Sequence, residues 1–299
     1  MTRGPTIVDE LARERGPLFS FEFYPPADIE AERQLWTTVR KLEPLAPDFV
    51  SVTYGANGSS RERTVRATEQ IARHTTLRTM AHLTCASQPV SQLRQVIGRY
   101  ADAGIRHILA IRGDMPGGPL VPWVRHSDGL VNATELVALA RSLGDFCIGV
   151  AAFPDVHPER RDAHLDARLL VAKAEAGASF AITQMCFDAT AYFTLVDRVR
   201  SLGCDLPIIP GIQPVTNVGQ LQRFADLSGQ QLPQPIVDRL TAAADDPKQV
   251  RRLGIEIGTE LSQELLDGGA PGLHFFTQNW SLATRRIYAN LRDRQASPV

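Results

Sequence analysis

Short apolar runs alternate with longer amphipathic segments along most of the chain. The runs have the length of buried strands and are bounded by turn residues, and they cover residues 18–23, 49–53, 78–84, 107–112, 147–152, 179–184, 207–212 and 273–276. The segments between them place apolar residues at a period near 3.6 and predict helices over residues 29–42, 61–73, 91–103, 132–143, 163–176, 189–202 and 218–227.

This alternation predicts a closed barrel of eight parallel strands. An open doubly wound sheet needs fewer strands and usually carries a glycine-rich nucleotide fingerprint after a strand, which this sequence lacks. Two extra helices, near 233–243 and 248–267, precede the eighth strand. The expected fold class is therefore α/β, a (β/α)8 TIM barrel with extra helices before the eighth strand. No domain boundary is visible, so residues 1–299 are expected to form one catalytic domain, with an N-terminal extension (1–16) and a C-terminal tail (292–299).

Composition narrows the class of protein. The 299 residues are 43% hydrophobic and 22% charged with a net charge of −1, and the two signs of charge are interspersed. These features predict neither a nucleic-acid partner nor a membrane partner. The first sixteen residues contain no apolar signal core, which favours a cytoplasmic location. The four cysteines are far apart, as reduced core thiols would be.

The first strand carries one carboxylate among aromatic residues. Glu22 alternates with Phe21 and Phe23, and Pro25 and Pro26 end the strand two residues later. A buried carboxylate is costly unless it is protonated, paired or used, so a raised pKa and proton transfer are one interpretation. A glutamate on a half-exposed strand face is the other.

Polar residues follow the other predicted strands, where the active sites of such barrels are built. They include Thr53, His82, Thr84, Arg112, Asp114, His157, Gln184, Gln213 and Thr277. No strand ends in lysine, which argues against Schiff-base chemistry, and no His-x-His motif suggests a catalytic metal. His82 and His157 could join Glu22 or Asp114 in a metal site, but hydrogen-bonding or substrate-contact roles are favoured and no metal is expected.

A series of motifs in this order resembles the methylenetetrahydrofolate reductase family. The resemblance spans about residues 18–290 and is carried by FEFYPP (21–26), SVTYGA (51–56), HLTC (82–85), RGD (112–114), AAFPDVHP (151–158), AGA (176–178), ITQ (182–184), IPGI (209–212) and HFFT (274–277). It implies a (β/α)8 barrel that reduces 5,10-methylenetetrahydrofolate to 5-methyltetrahydrofolate for methionine supply. NADH or NADPH would be the hydride donor, normally acting through bound FAD.

The resemblance also implies roles for individual residues. Glu22 would be the general acid that protonates the aryl amine nitrogen of the folate, and Asp114 would contact the pterin and stabilise developing positive charge. Substrate contacts are expected from Gln184, Gln220, Phe224 and Thr277. Cofactor contacts are expected from Thr53, His82, Arg112, His157, Asp166 and Lys173. For Phe224 the alternative is an ordinary core residue on a helix.

The departures from the family pattern fall mainly on the flavin. Arg125, Phe153, Leu169 and Ala172 stand where flavin-binding members have residues that contact FAD. Losing several hydrogen bonds, each worth about 0.5–1.5 kcal/mol, would weaken FAD binding by orders of magnitude. One interpretation is a flavoenzyme with a variant pocket; the other, which we favour, is direct hydride transfer from NADH to folate. Trp280 replaces an arginine that contacts folate in some members.

Two other functions are compatible with a barrel of this type. A metal-dependent hydrolase or carbon–carbon lyase would need a cluster of carboxylates and histidines around a metal. A non-catalytic folate-binding module would bind reduced folate without turnover, but simple binding does not require an acid such as Glu22 beside Asp114 and Gln184. The sequence pattern specifies no oligomeric state and no preference between NADH and NADPH.

Overall fold

The computed structural model of the chain describes residues 5–13, 16–54, 58–116, 121–157, 159–221, 223 and 232–296. Its eight strands are β1 (Leu18–Phe23), β2 (Phe49–Val52), β3 (Thr79–Thr84), β4 (His107–Ile111), β5 (Cys147–Ala152), β6 (Phe180–Cys186), β7 (Ile208–Ile212) and β8 (Gly272–Phe276). The helices described are α1 (Ile7–Leu11), α2 (Ile29–Leu42), α3 (Gly58–His74), α4 (Val90–Asp102), α5 (Ala133–Leu143), α6 (Ala163–Glu175), α7 (Ala189–Ser201), α8 (Gln234–Thr241), α9 (Pro247–Asp267) and α10 (Leu282–Ala296).

The strands close into a parallel barrel in sequence order, from β1 to β8 and back to β1. The closing pair aligns Leu18 with Gly272 and Glu22 with Phe276. The predicted TIM-barrel fold, including the extra helices α8 and α9 before β8, is confirmed.

Strand β1 shows how alternation places side chains. Phe19, Phe21 and Phe23 are buried in the layer between the barrel and its outer helices. Ser20 and Glu22 therefore point to the opposite face, the inside of the barrel, where Ser20 meets His274 of β8. The period-2 pattern thus delivers an acidic side chain to the barrel interior.

Several of the outer helices begin at a polar residue whose side chain caps the helix N-terminus. Asp28 accepts a hydrogen bond from the backbone N–H of Ala31 at α2, and Asn132 accepts one from Glu135 at α5. These caps satisfy backbone N–H groups that have no partner within the helix. At the end of α6, Gly177 takes a φ of +112°, a conformation that favours glycine.

Two helices were not predicted. Helix α1 packs the fully buried Ile7 against the N-terminal end of the barrel, beside Leu18, Phe49 and Met80. Helix α10 follows β8 and buries Ile287 and Leu291. The predicted helix 218–227 lies largely outside the described residues, although Gly219, Gln220 and Leu221 are helical.

The four cysteines are buried and unpaired. Among the described helices none combines the length and apolar character needed to cross a membrane.

Candidate active site

A cavity of about 670 Å³ opens at the C-terminal ends of the strands. Most of the residues predicted for the site line it. These are Glu22, Thr53, His82, Arg112, Asp114, His157, Lys173 and Gln184. The strand ends therefore bring together side chains that are up to 162 positions apart in the sequence, from Glu22 to Gln184.

Glu22 is the most enclosed carboxylate of the cavity, with 6% of its surface exposed. Its Oε2 lies 3.2 Å from Nε2 of His274 and 3.4 Å from the hydroxyl of Ser51, which donates to it. Nε2 of His82 is also 3.4 Å away, in a geometry that makes no hydrogen bond. Behind Glu22, Nδ1 of His274 lies 2.8 Å from the hydroxyl of Ser20.

The pKa of Glu22 differs from the expectation made from sequence. Burial raises this pKa, but His82, His274 and Ser51 together lower it by more, so it lies below the ordinary value of a glutamate. Burial lowers the pKa of His82 to about 4, so His82 is neutral at pH 7. The charge of Glu22 opposes this lowering for His82, and the hydrogen bonds to His274 and Ser51 stabilise the Glu22 carboxylate in addition. The expected raised pKa was therefore wrong for the ligand-free site.

Asp114 and Gln184 reach the cavity through local irregularities. Gly113 precedes Asp114 with a φ of +81°, and a Cβ at this glycine would lie 2.6 Å from the side chain of Thr84. Burial raises the pKa of Asp114, partly offset by Arg112. In β6 the register with β7 shifts between Ile182 and Met185, a bulge that turns Gln184 toward the cavity.

Cationic side chains gather on the opposite side of the rim from Glu22, after β4 and β5 and on α6. Arg112 pairs with both carboxylate oxygens of Glu159, at 2.7 and 2.9 Å, and Arg160 pairs with Asp166 at 2.6 Å. Lys173 donates to the carbonyl of Ala151, and burial lowers its pKa to about 8. This side of the cavity suits the phosphates of a dinucleotide.

Three of the predicted site residues that the structure describes do not line the cavity wall, and a fourth cannot be placed. Thr277 donates its hydroxyl to the carbonyl of Glu22 at 2.6 Å, and Asp166 accepts from the backbone N–H of His157. Gln220 bonds to the backbone of Thr216 and to the side chain of Gln278. Phe224 lies outside the described residues. The roles assigned to these four residues stay predictions, as do the roles assigned to the residues that line the cavity.

Of the four residues that differ from those of flavin-binding members, two line the cavity and two do not. Phe153 and Leu169 line the cavity, and Phe153 packs edge-on against His157 with ring centroids 4.5 Å apart. Arg125 is turned away and donates to the carbonyl of Gly129 at 3.0 Å, and Ala172 is not part of the cavity wall.

Sequence reasoning missed His274 and Gln278. His274 belongs to a recognised motif but received no role, although its position in β8 opposite Ser20 puts it inside the barrel. Pairing the first and last strands of the expected barrel would have identified it as a neighbour of Glu22. Nothing in the sequence marks Gln278, which lines the cavity from the loop after β8.

The sequence model of the family described as "Methylenetetrahydrofolate reductase" matches residues 7–292. The chain belongs to the methylenetetrahydrofolate reductase family. It is 40% identical over 274 residues to the 5,10-methylenetetrahydrofolate reductase of Escherichia coli (strain K12), covering 91% of this chain and 90% of that protein. It is also 40% identical over 260 residues to the enzyme of the same name from Pectobacterium carotovorum subsp. carotovorum, covering 87% of this chain and 85% of that protein.

Among solved structures, a Clostridium thermocellum protein that binds two copies of 5-methyl-5,6,7,8-tetrahydrofolic acid has a similar fold. The TM-score is 0.61 at 14% identity, covering 94% of this chain and 95% of that chain. At this identity the similarity concerns the fold alone. Within the described ranges, no three His, Cys, Asp or Glu side chains are grouped as metal ligands would be.

Proposed function

We propose that this member of the methylenetetrahydrofolate reductase family reduces 5,10-methylenetetrahydrofolate to 5-methyltetrahydrofolate in the cytoplasm, with NADH or NADPH as the hydride donor. It would be an oxidoreductase acting on a CH–NH group in the one-carbon metabolism that supplies methionine. One observation carries the proposal: Glu22 is buried at the inner end of a cavity that Asp114 and Gln184 also line.

Glu22 is the proton donor in this proposal. It gives a proton to the aryl amine nitrogen of the folate, the bond from that nitrogen to the methylene carbon breaks, and an iminium remains on the other nitrogen. Hydride from C4 of the dihydronicotinamide then adds to the methylene carbon, leaving NAD(P)⁺ and the methyl group. Because Glu22 is ionised in the free protein at pH 7, it must take up a proton before this step. Folate filling the cavity excludes water, which favours the neutral acid.

Asp114 and Gln184 position the pterin in this proposal. A carboxylate accepts hydrogen bonds from ring N–H and amino groups, and its charge stabilises the cation that forms as the folate ring opens. Asp114 is exposed to water in the free protein, and a pterin bound in the cavity would displace that water and strengthen the interaction of the carboxylate with a nearby cation.

The nicotinamide nucleotide would direct its phosphates to the side of the cavity that carries Arg112 and Lys173. Phe153 and Leu169 on this wall offer no hydrogen bond to a sugar chain or a phosphate, which counts against FAD as a resident cofactor, although Arg112, His157 and Lys173 also line the cavity. We therefore propose direct hydride transfer between the two bound substrates, which needs the two reacting carbons at near-attack distance.

Three measurements on the purified protein test the proposal. We expect no flavin absorption in the visible spectrum, oxidation of NADH or NADPH that depends on methylenetetrahydrofolate, and intersecting double-reciprocal lines, because both substrates bind before a product leaves. A stoichiometric flavin spectrum with parallel lines would instead show the variant flavoenzyme. Folate binding without nucleotide oxidation would show a non-catalytic module and overturn the reductase assignment.

A further inference from the structure

Three glutamine amides form a hydrogen-bonded chain beside the cavity. Nε2 of Gln278 donates to Oε1 of Gln213 at 3.3 Å, and Nε2 of Gln220 donates to Oε1 of Gln278 at 3.4 Å. Gln213 and Gln278 line the cavity, while Gln220 is not part of its wall and reaches it only through Gln278. None of the roles proposed above explains why these amides are linked.

The two ends of this chain fix the orientation of every amide in it. Oε1 of Gln220 accepts hydrogen bonds from the backbone N–H groups of Thr216 and Asn217, at 2.9 and 3.2 Å. At the other end, Nε2 of Gln213 donates to the carbonyl of Pro214 at 3.0 Å. A backbone N–H only donates and a carbonyl only accepts, so neither end amide can be reversed. Gln278, between them, has a single orientation that satisfies both neighbours.

The backbone that carries Gln278 is strained and firmly held. Gln278 and Asn279 have φ values of +49° and +59°, a region that residues other than glycine rarely occupy. The Asn279 side chain bonds to both the N–H and the carbonyl of Tyr24, at 2.9 and 3.0 Å. The Asn279 carbonyl also accepts from Gln34 and Thr38. Strain of this kind persists where the surroundings enforce it and is concentrated at functional sites.

Gln278 lies on the same side of the cavity as the proposed acid. The residue before it, Thr277, donates to the carbonyl of Glu22, whereas Arg112 and Lys173 follow or pack against strands on the opposite side of the barrel. A ligand group near Gln278 is therefore part of the folate rather than a phosphate of the nucleotide. Within this chain of hydrogen bonds, Gln278 and Gln213 each use one amide N–H and one lone pair of the amide oxygen. Each residue therefore keeps a second N–H and a second lone pair for a ligand.

We propose that Gln278 and Gln213 form a folate-binding pair and that Gln220 is a positioning residue that acts through Gln278. The inference rests on the proposed function, because it assigns the folate to the Glu22 side of the cavity. It differs from the role first expected for Gln220, which was a direct substrate contact.

Replacing Gln278 by leucine tests the pair. We expect Gln278→Leu to raise the folate KM and the Kd for 5-methyltetrahydrofolate, measured by titration calorimetry without turnover, by about tenfold, the effect of one or two hydrogen bonds. The KM for NADH should stay unchanged. Gln234→Leu makes the same chemical change on the exposed surface of α8 and should leave both constants as in the wild type.

Two variants of Gln220 test the positioning role. In Gln220→Glu the carboxylate still accepts from Thr216 and Asn217 but repels Oε1 of Gln278, so the Gln278 amide must turn over and reverse the groups it presents. Gln220→Met removes the donor and leaves the bond between Gln278 and Gln213. We expect the glutamate variant to raise the 5-methyltetrahydrofolate Kd about as much as Gln278→Leu, and the methionine variant to raise it clearly less.

The outcomes separate this inference from the function on which it rests. Equal folate binding by the wild type and Gln278→Leu would overturn the pair, and equal effects of the two Gln220 variants would overturn the positioning role. Failure of the wild type to oxidise NADH or NADPH with methylenetetrahydrofolate would overturn the proposed reductase instead.

Discussion

The two ends of the barrel are built from the same eight strands but differ in what fills them. At the N-terminal end, Ile7 of α1 packs on Leu18, Phe49 and Met80. These apolar side chains close that end of the barrel and are called its floor below. At the C-terminal end the strands lead into a cavity lined by Glu22 and other titratable groups. The floor contributes stability, and the cavity carries the proposed chemistry.

Perturbed pKa values occur at both ends, so they do not by themselves mark the active site. Burial lowers the pKa of His107, near the floor, and of His82, in the cavity, to about 4 in each case. Only His82 lies beside a buried carboxylate, that of Glu22. A shifted pKa therefore indicates burial, and the neighbouring groups decide whether the burial serves catalysis.

Glutamate-to-glutamine changes at the two ends should separate them most clearly. Glu22→Gln keeps the size and polarity of the side chain but cannot deliver a proton, so kcat should fall about a hundredfold or more with a nearly constant Tm. Glu10→Gln, the matched change at the floor, weakens the ion pair with Arg78 and should leave kcat unchanged. Steady-state kinetics and thermal melts measure both, and near-normal turnover in Glu22→Gln would remove it from the mechanism.

Truncating a side chain of the floor should lower stability and leave turnover unchanged. Ile7→Ala removes a fully buried side chain and should lower the free energy of unfolding by about 2–5 kcal/mol, with kcat and KM unchanged at a temperature where the variant is folded. Ile29→Ala makes the same change at a site that is 71% exposed and should have little effect in urea unfolding. A loss of turnover in folded Ile7→Ala would show that the two ends are coupled.

Asp114 and Gln184 should behave as residues of the cavity and not of the packed barrel. We expect Asp114→Asn and Gln184→Ala each to raise the folate KM or lower kcat about tenfold, because each removes hydrogen bonds to the substrate. The Tm should stay close to that of the wild type. A drop in Tm as large as that of Ile7→Ala would place these residues in the supporting structure.

The smallest effect concerns His107 and pH. Its pKa is about 4 in the folded protein and about 6.5 in an unfolded chain, so between these values the unfolded state binds a proton that the folded state does not. Stability is therefore lost as the pH falls from about 6.5 toward 4. His107→Leu should make Tm less dependent on pH over this range, whereas the exposed His74→Leu should not. An unchanged pH profile of Tm in His107→Leu would contradict the buried, neutral state.

Hydrophobic periodicity predicted the fold because each strand and outer helix is long enough to show its own pattern. Helix α1 was not predicted because its five residues, Ile7–Leu11, span less than two turns and are too few to show a period of 3.6. Helix α10 was not predicted because its sequence is rich in arginine and contains too few apolar residues to show a clear helical period. The rim residues could be placed because they follow strand ends, which meet on one side of any such barrel.

The electrostatics of the site could not be predicted in the same way. The pKa of Glu22 depends on His274, 252 positions away, and on Ser51 in the next strand. A single segment around residue 22 shows the aromatic neighbours that raise a pKa but not the distant donors that lower it. The left-handed backbone of Gln278 was equally hidden, because the bonds from Tyr24, Gln34 and Thr38 that hold the loop come from the other end of the sequence.

Closure of the barrel between its first and last strands has a consequence for biosynthesis. During translation β1 emerges early, but its partner β8 emerges only after more than two hundred further residues have been made. Until then Glu22 has no His274 beside it, and one edge of the nascent sheet is unpaired and open to wrong pairings. The acid therefore acquires its surroundings only after β8 has been made, and a chain truncated before β8 would carry Glu22 without the hydrogen bond to His274.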